Sequence, residues 1–142
     1  MTIVLDASMA LAWLIVRADP KEAAVADQAF GEVSAYGAHV PALWYPEVAN
    51  TLLVFERAKR LTLQASVSYL ADISLLAIDE DDSACAPLQG RVLELGRMYN
   101  LTAYDASYLE LAMRRAAVLA TFDRQLVEAA RAAGVRVFGD AE

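Results

Sequence analysis

Thr2-Ile3-Val4-Leu5-Asp6-Ala7-Ser8 decides how this chain is read. Ile3, Val4 and Leu5 form a short, uninterrupted apolar run, the pattern of a strand buried on both faces of a parallel sheet. The run stops at Asp6, and a helix-like pattern starts directly behind Ala7 and Ser8. In open α/β sheets, ligands bind outside the carboxyl ends of the strands. An aspartate at that point raises one question about everything downstream: does the chain bring further carboxylates to the same edge?

Outward from this stretch, strand-like and helix-like segments alternate. Met9 to Val16 reads as a short helix that Ser8 or Asp6 can cap. Pro20, tolerated in a first turn, opens a second helix with Val25, Ala26, Ala29, Phe30 and Val33 as its apolar stripe, and Gly37 lies beyond its end. Ala38 to Val40 predicts a second strand. A long helix from about Ala42 to Lys59 follows, with Pro46 in its first turn or between two shorter pieces. Thr62 caps the next, about Leu63 to Asp72. Ser74 to Ile78 predicts a third strand, and Asp79-Glu80-Asp81-Asp82 a solvated loop whose acids suit the start of a helix over about Ser83 to Tyr99. Thr102 opens a helix reaching about Arg115. Ala117 to Ala120 predicts a fourth strand, and Arg124 to Ala133 the last helix, with Gly134 at its stop position. Val135 to Phe138 closes the pattern as a short strand. Strands separated by helices predict an α/β fold: a mostly parallel sheet flanked by helices, in one domain over residues 1–142.

Composition narrows the function. The 142 residues are 58% hydrophobic and 22% charged, which suits a packed core rather than long disorder. Cys85 is the one cysteine, so no internal disulfide can form and a reducing compartment is expected. Asp6 interrupts the first apolar run before a signal-peptide core can develop, and the run Met9 to Val16 is too short to span a bilayer. A soluble cytoplasmic protein is expected. The net charge of −7 is unusual for a nucleic-acid binder, unless acids are gathered at one site to hold divalent cations.

The chemistry-bearing residues point to carboxylates. One histidine, His39, excludes any site that needs two, and Cys85 has no partner for a zinc site. There is no glycine-rich phosphate loop and no Gly-x-Ser-x-Gly turn. Four acids stand out: Asp6 after the first strand, Glu47 early in the third helix, Asp105 in the first turn of its helix, and Asp123 after the fourth strand. Each alone has a plain structural reading. Asp6 and Asp123 are at cap positions, Thr102 and Asp105 have capping-box spacing, and Glu47 with Asn50 share a helix face. Together they occupy strand-to-helix junctions, which lie on one edge of a parallel sheet. Like charges gathered there repel unless cations neutralise them, and hard oxygen donors without histidine suit Mg²⁺ or Mn²⁺.

Four motifs in order carry a resemblance: Val4-Leu5-Asp6-Ala7-Ser8, Pro41 to Asn50, Leu101-Thr102-Ala103-Tyr104-Asp105-Ala106-Ser107 running on to Ala112, and Leu119-Ala120-Thr121-Phe122-Asp123-Arg124-Gln125-Leu126 running on to Val135. The chain resembles PIN-domain proteins, and most closely the VapC toxins of toxin–antitoxin pairs. The resemblance implies a three-layer αβα fold and a metal-dependent endoribonuclease. Asp6, Glu47, Asp105 and Asp123 would hold Mg²⁺ or Mn²⁺, with Ser8, Thr121 and Asn50 in support. It further implies a homodimer, a cognate VapB-type antitoxin and an RNA substrate. Arg91, Arg97, Arg114, Arg115 and Arg124 are the candidate phosphate contacts. Two alternatives stand beside this reading: a non-catalytic PIN module that binds RNA or protein, and an aspartyl-phosphate receiver-like domain. The second lacks the late lysine it would need, since none follows Lys59.

A mean hydropathy of +0.33 adds a last expectation. Leu11, Trp13, Leu14 and Ile15, together with Trp44, Tyr45, Leu52, Leu53, Val54 and Phe55, are more apolar surface than one core should absorb, and leftover apolar patches mark interfaces.

Overall fold

In the computed structural model, residues 1–83 and 85–141 are described. Four strands, β1 (Ile3–Leu5), β2 (Ala38–Val40), β3 (Ile78–Glu80) and β4 (Val118–Ala120), form a parallel sheet in the order β3-β2-β1-β4. Between and after them run α1 (Ala7–Leu11), α2 (Pro20–Tyr36), α3 (Trp44–Arg57), α4 (Leu63–Ile73), α5 (Cys85–Tyr99), α6 (Ala103–Arg114) and α7 (Arg124–Ala132). Helices cover the sheet to make the three-layer α/β arrangement that the resemblance implies. No helix among the described residues is long and apolar enough to cross a membrane.

The apolar run that opens the chain becomes the centre of this sheet. Ile3, Val4 and Leu5 are all buried, and β1 is paired on both sides. On the β4 side, Ile3, Val4 and Leu5 face Val118, Leu119 and Ala120. The ladder runs one residue past the strand, because the Asp6 N–H donates to the Ala120 carbonyl at 3.0 Å. The helix α6 packs over β1 and β4 and against α5 and α7, while α1 packs against α2 and α3. Tyr108, Leu109 and Leu111 of α6 and Leu126 of α7 are fully enclosed by that packing. Sequence order moves from β1 to β2 to β3 in one direction and then returns to β4 on the other side of β1. The reversal lies between β1 and β4, where a doubly wound sheet opens a crevice at its carboxyl edge.

Local chemistry sets most boundaries. Asp19 accepts from the Lys21 N–H and Pro20 follows it, so α2 starts there. Thr62 accepts from the Ala65 N–H at 3.1 Å, and Thr102 from the Asp105 N–H at 3.1 Å, each capping its helix. Pro46 sits in the first turn of α3, where its missing N–H costs no intrahelical bond. Gly37 enters β2 with φ 79° and ψ −173°, a conformation essentially restricted to glycine. A Cβ there would stand 2.5 Å from the Ala77 carbonyl oxygen.

Several expectations need correcting. The third strand is Ile78–Glu80, not Ser74 to Ile78. Residues 74–76 instead close α4 with turn hydrogen bonds, and Asp79 and Glu80 pair with His39 and Val40 rather than lying in a loop. As an edge strand, β3 has one neighbour and tolerates acids facing water, so the apolar run was a false guide. The first helix ends at Leu11 rather than continuing to Val16, and residues 12–15 form turns. Val135 to Phe138 contributes only an isolated bridge between Val137 and Leu119. Ala84, expected within the fifth helix, lies outside the described residues. The surplus apolar surface is also smaller than expected. Leu11, Trp44 and Leu52 are buried, and Trp13 and Leu14 pack against the core; Tyr45, Leu53 and Val54 remain exposed.

Candidate functional site

Asp6, Glu47, Asp105 and Asp123 line one cleft of about 790 Å³ at the carboxyl edge of the sheet, with Ser8 and Asn50 beside them. Asp6 is placed by the end of β1, Glu47 by the first turn of α3, Asp105 by the first turn of α6, and Asp123 by the N-cap of α7. Thr121 lies beneath, buried between β4 and α7.

A circuit of hydrogen bonds joins the ends of β1 and β4. Ser8 Oγ and Thr121 Oγ1 both donate to Asp6 Oδ2, at 2.5 and 2.7 Å. Ser8 Oγ in turn accepts from the Phe122 N–H at 3.0 Å, and Thr121 Oγ1 from the Asp123 N–H at 3.0 Å. Asp123 Oδ1 caps α7 by accepting from the Leu126 N–H at 2.9 Å. Asp6 holds the N-cap position of α1 but makes no side-chain cap bond, so its carboxylate is turned to the two hydroxyls instead. Asn50 is exposed on the cleft wall.

Electrostatics bind the four acids into one unit. Burial raises the Asp6 carboxyl above its ordinary range; the Ser8 and Thr121 hydroxyls oppose this, and the Asp123 charge adds to it. Burial also raises Glu47, with Tyr108 opposing and the Asp6 charge adding. Asp105 is pushed up to about 6, first by burial and then by the charges of Asp123, Asp6 and Glu47. Acids that perturb one another in this way, with only oxygen donors among them, match the donor set of a hard divalent cation. Among the described residues, no three acidic, histidine or cysteine side chains stand close enough to close round one ion as arranged. Each of three acids has its own donor: Asp6 has two hydroxyls, Asp123 the Leu126 N–H, and Glu47 the Tyr108 hydroxyl. Mutual repulsion favours that separation, and a cation would offset it.

Residues 3–132 match the PIN domain. The chain belongs to the PIN-domain family. With 26% identity and a TM-score of 0.68, PAE2754 from Pyrobaculum aerophilum is similar over 91% of this chain and 86% of its own. FitAcB from Neisseria gonorrhoeae is similar over 96% of both chains, with 17% identity and a TM-score of 0.64, which speaks to the fold alone. No curated protein matches the chain. PIN domains are a nuclease-type module, which sets aside the receiver-like alternative; no lysine lines the cleft among the described residues.

Two side chains at this PIN-domain cleft escaped the sequence reading. Tyr108 is fully buried in α6, and its hydroxyl donates to Glu47 Oε1 at 2.5 Å. Its spacing, three residues after Asp105 on one helix, was a signal available in the sequence. Arg17 lines the cleft from the turns after α1, which no periodicity announces. Of the arginines nominated for phosphate contact, only Arg124 lines the cleft. Arg114 is engaged by Glu110 and Asp81, Arg115 by Asp81, and Arg91 by Glu94. The hydrogen bonds and charges of Arg114 and Arg115 hold Asp81 below the usual carboxylate range. This network pins the end of β3 to α6 and leaves the Arg114 guanidinium committed.

Proposed function

We propose that this chain, as a single PIN domain over residues 1–142, is a Mg²⁺- or Mn²⁺-dependent endoribonuclease of the VapC type. It would act in the cytoplasm as the toxin of a toxin–antitoxin pair. The observation that carries the reading is the convergence of Asp6, Glu47, Asp105 and Asp123 on one cleft at the topological reversal of the sheet. When bound by these four carboxylates, the divalent ion supplies Lewis-acid activation of water and neutralises charge on the scissile phosphate.

The chain's own groups supply the rest. Asp105 is pushed up to about 6 in the metal-free cleft; a cation held there would favour its ionised form, and as a carboxylate at the cleft it would accept a proton from the attacking water. Glu47 is the other carboxylate in reach of that role. Tyr108 holds Glu47 by its Oε1, and Ser8 with Thr121 holds Asp6 by its Oδ2, so two of the acids are fixed before substrate arrives. Attack by water on phosphorus with loss of the 3′ oxygen leaves 5′-phosphate and 3′-hydroxyl ends.

The VapC reading includes two protein partners. Tyr45, Leu53 and Val54 of α3 and Leu63, Val67 and Leu70 of α4 are exposed apolar side chains, which support a homodimer and an antitoxin contact. The test is to incubate the purified protein with total RNA and Mn²⁺ and map new 5′ ends. Discrete cleavage that EDTA abolishes and that the product of the adjacent gene suppresses is expected. A protein that binds RNA without cutting it would instead be a non-catalytic PIN module.

A further inference from the structure

The acidic cleft must accept a polyanion. Asp6, Asp19, Glu22, Glu47, Asp105 and Asp123 line it, while Arg17 and Arg124 are its only cations among the described residues. A cation held by the carboxylates would answer the charge at the scissile phosphate but not along the flanking strand. The two arginines differ from Arg114, which Asp81 and Glu110 hold at 2.6 and 2.8 Å. The Arg17 bonds to Glu22 are 3.3 and 3.4 Å, and about a third of each side chain is exposed. Such distances are at the weak end of the hydrogen-bond range. Arg124 has no side-chain partner among the described residues and stands exposed at the start of α7, beside Asp123.

The Arg17 guanidinium also lies over the Phe122 ring, 4.7 Å from its centroid, and Phe122 is only half-buried. A second stack of the same kind borders the cleft: Phe55 lines it, and the Arg60 guanidinium lies 4.7 Å from the Phe55 ring centroid. Flat aromatic and guanidinium faces beside cations are what unpaired bases use. Those of a duplex are already stacked on each other.

Building on the endoribonuclease reading, we propose that Arg17, Phe122 and Arg124 form the rim that holds single-stranded RNA over the carboxylates. A phosphate takes Arg17 from Glu22, Arg124 grips a second phosphate next to Asp123, and a base lies on the Arg17–Phe122 stack. These are positioning residues: they act on the strand on either side of the scissile bond and leave the acids to the chemistry.

The test is binding of a labelled single-stranded RNA oligonucleotide in EDTA, followed by anisotropy across a salt series, with the full chain. Arg17→Gln and Arg124→Gln should each flatten the slope of log K against log[salt] by about 0.7, the value for one phosphate contact on a single strand. Phe122→Leu should weaken binding roughly fivefold or more with the slope unchanged, and should have no such effect on a duplex of the same sequence. Arg91→Gln, remote in α5 and paired with Glu94, should match the parent. Melting temperatures of the variants separate lost contacts from lost fold. Cleavage of total RNA with Mn²⁺ is measured in parallel. If the parent cuts and binds RNA but neither arginine variant changes the slope, the rim is wrong and the endoribonuclease reading stands. If the parent neither binds nor cuts single-stranded RNA, both fall.

Discussion

Replacing Asp105 by Asn should make the metal-free protein more stable while disabling the site. In the fold, the Asp105 carboxyl is raised from its ordinary 3.8 to about 6 by burial and by three neighbouring carboxylates. A raised carboxyl pKa means that the folded state binds the proton more tightly than the unfolded one. Stability is then fullest below the ordinary value and is lost as pH rises through about 6. That rise corresponds to a ceiling of about 3 kcal/mol at pH 7.5. The residue is only half-buried, so solvent screening reduces this to roughly 1.5 kcal/mol. Asn removes the cost of burying that charge and its repulsion by the neighbouring acids, but gives up a favourable charge in the first turn of α6, about 0.5 kcal/mol. The net gain of about 1 kcal/mol should raise the melting temperature by roughly 3 °C at this chain length. The assay is thermal unfolding by circular dichroism in EDTA at pH 7.5 and pH 4.5. The gain should appear at the first pH and fall toward zero at the second, where the parent's own Asp105 is largely protonated. A variant that melts at or below the parent at pH 7.5 would refute the claim that burial and the neighbouring acids make an ionised Asp105 costly in this cleft.

Three further outcomes follow from the same geometry. Mn²⁺ should stabilise the parent by RT ln(1 + [L]/Kd), about 2.7 kcal/mol at a hundredfold excess over Kd, and should do far less for Asp105→Asn; identical melts with and without millimolar Mn²⁺ would count against a cation site. Tyr108→Phe removes the donor to Glu47 in a packed interior and should cost roughly 1–2 kcal/mol in denaturant titrations; no loss would mean that the hydrogen bond is not made in solution. Gly37→Ala must place a Cβ against the Ala77 carbonyl at positive φ. That should cost about 2 kcal/mol or more, and a variant as stable as the parent would contradict the described entry to β2.

The parts of the fold legible in the sequence were those where one physical cause acts locally. Ile3 to Leu5 reads as a central strand because burial on both faces leaves no polar alternation. Asp123, Thr102 and Thr62 mark helix starts because each side chain caps the backbone three residues on. The four acids were visible because strand-to-helix junctions of a parallel sheet share an edge. What stayed hidden depends on distant partners. β3 carries Asp79 and Glu80 because its pairing with β2, not its composition, makes it a strand. Arg114 and Arg115 resemble free cations until Asp81, more than thirty residues away, is brought against them. Arg17 reaches the cleft only because α1 ends early and the chain turns back through residues 12–15.

The most direct test of the central claim is Mn²⁺-dependent cleavage of RNA by the parent, Asp6→Asn and Asp79→Asn side by side. Asn at position 6 nearly keeps the shape that Ser8 and Thr121 hold, while removing the charge at the buried end of the cleft. Asp79 lies exposed in β3, outside the cleft lining. The account predicts cleavage by the parent and by Asp79→Asn, and a loss of orders of magnitude in Asp6→Asn with its fold intact by circular dichroism. Equal cleavage by folded Asp6→Asn and the parent would contradict it.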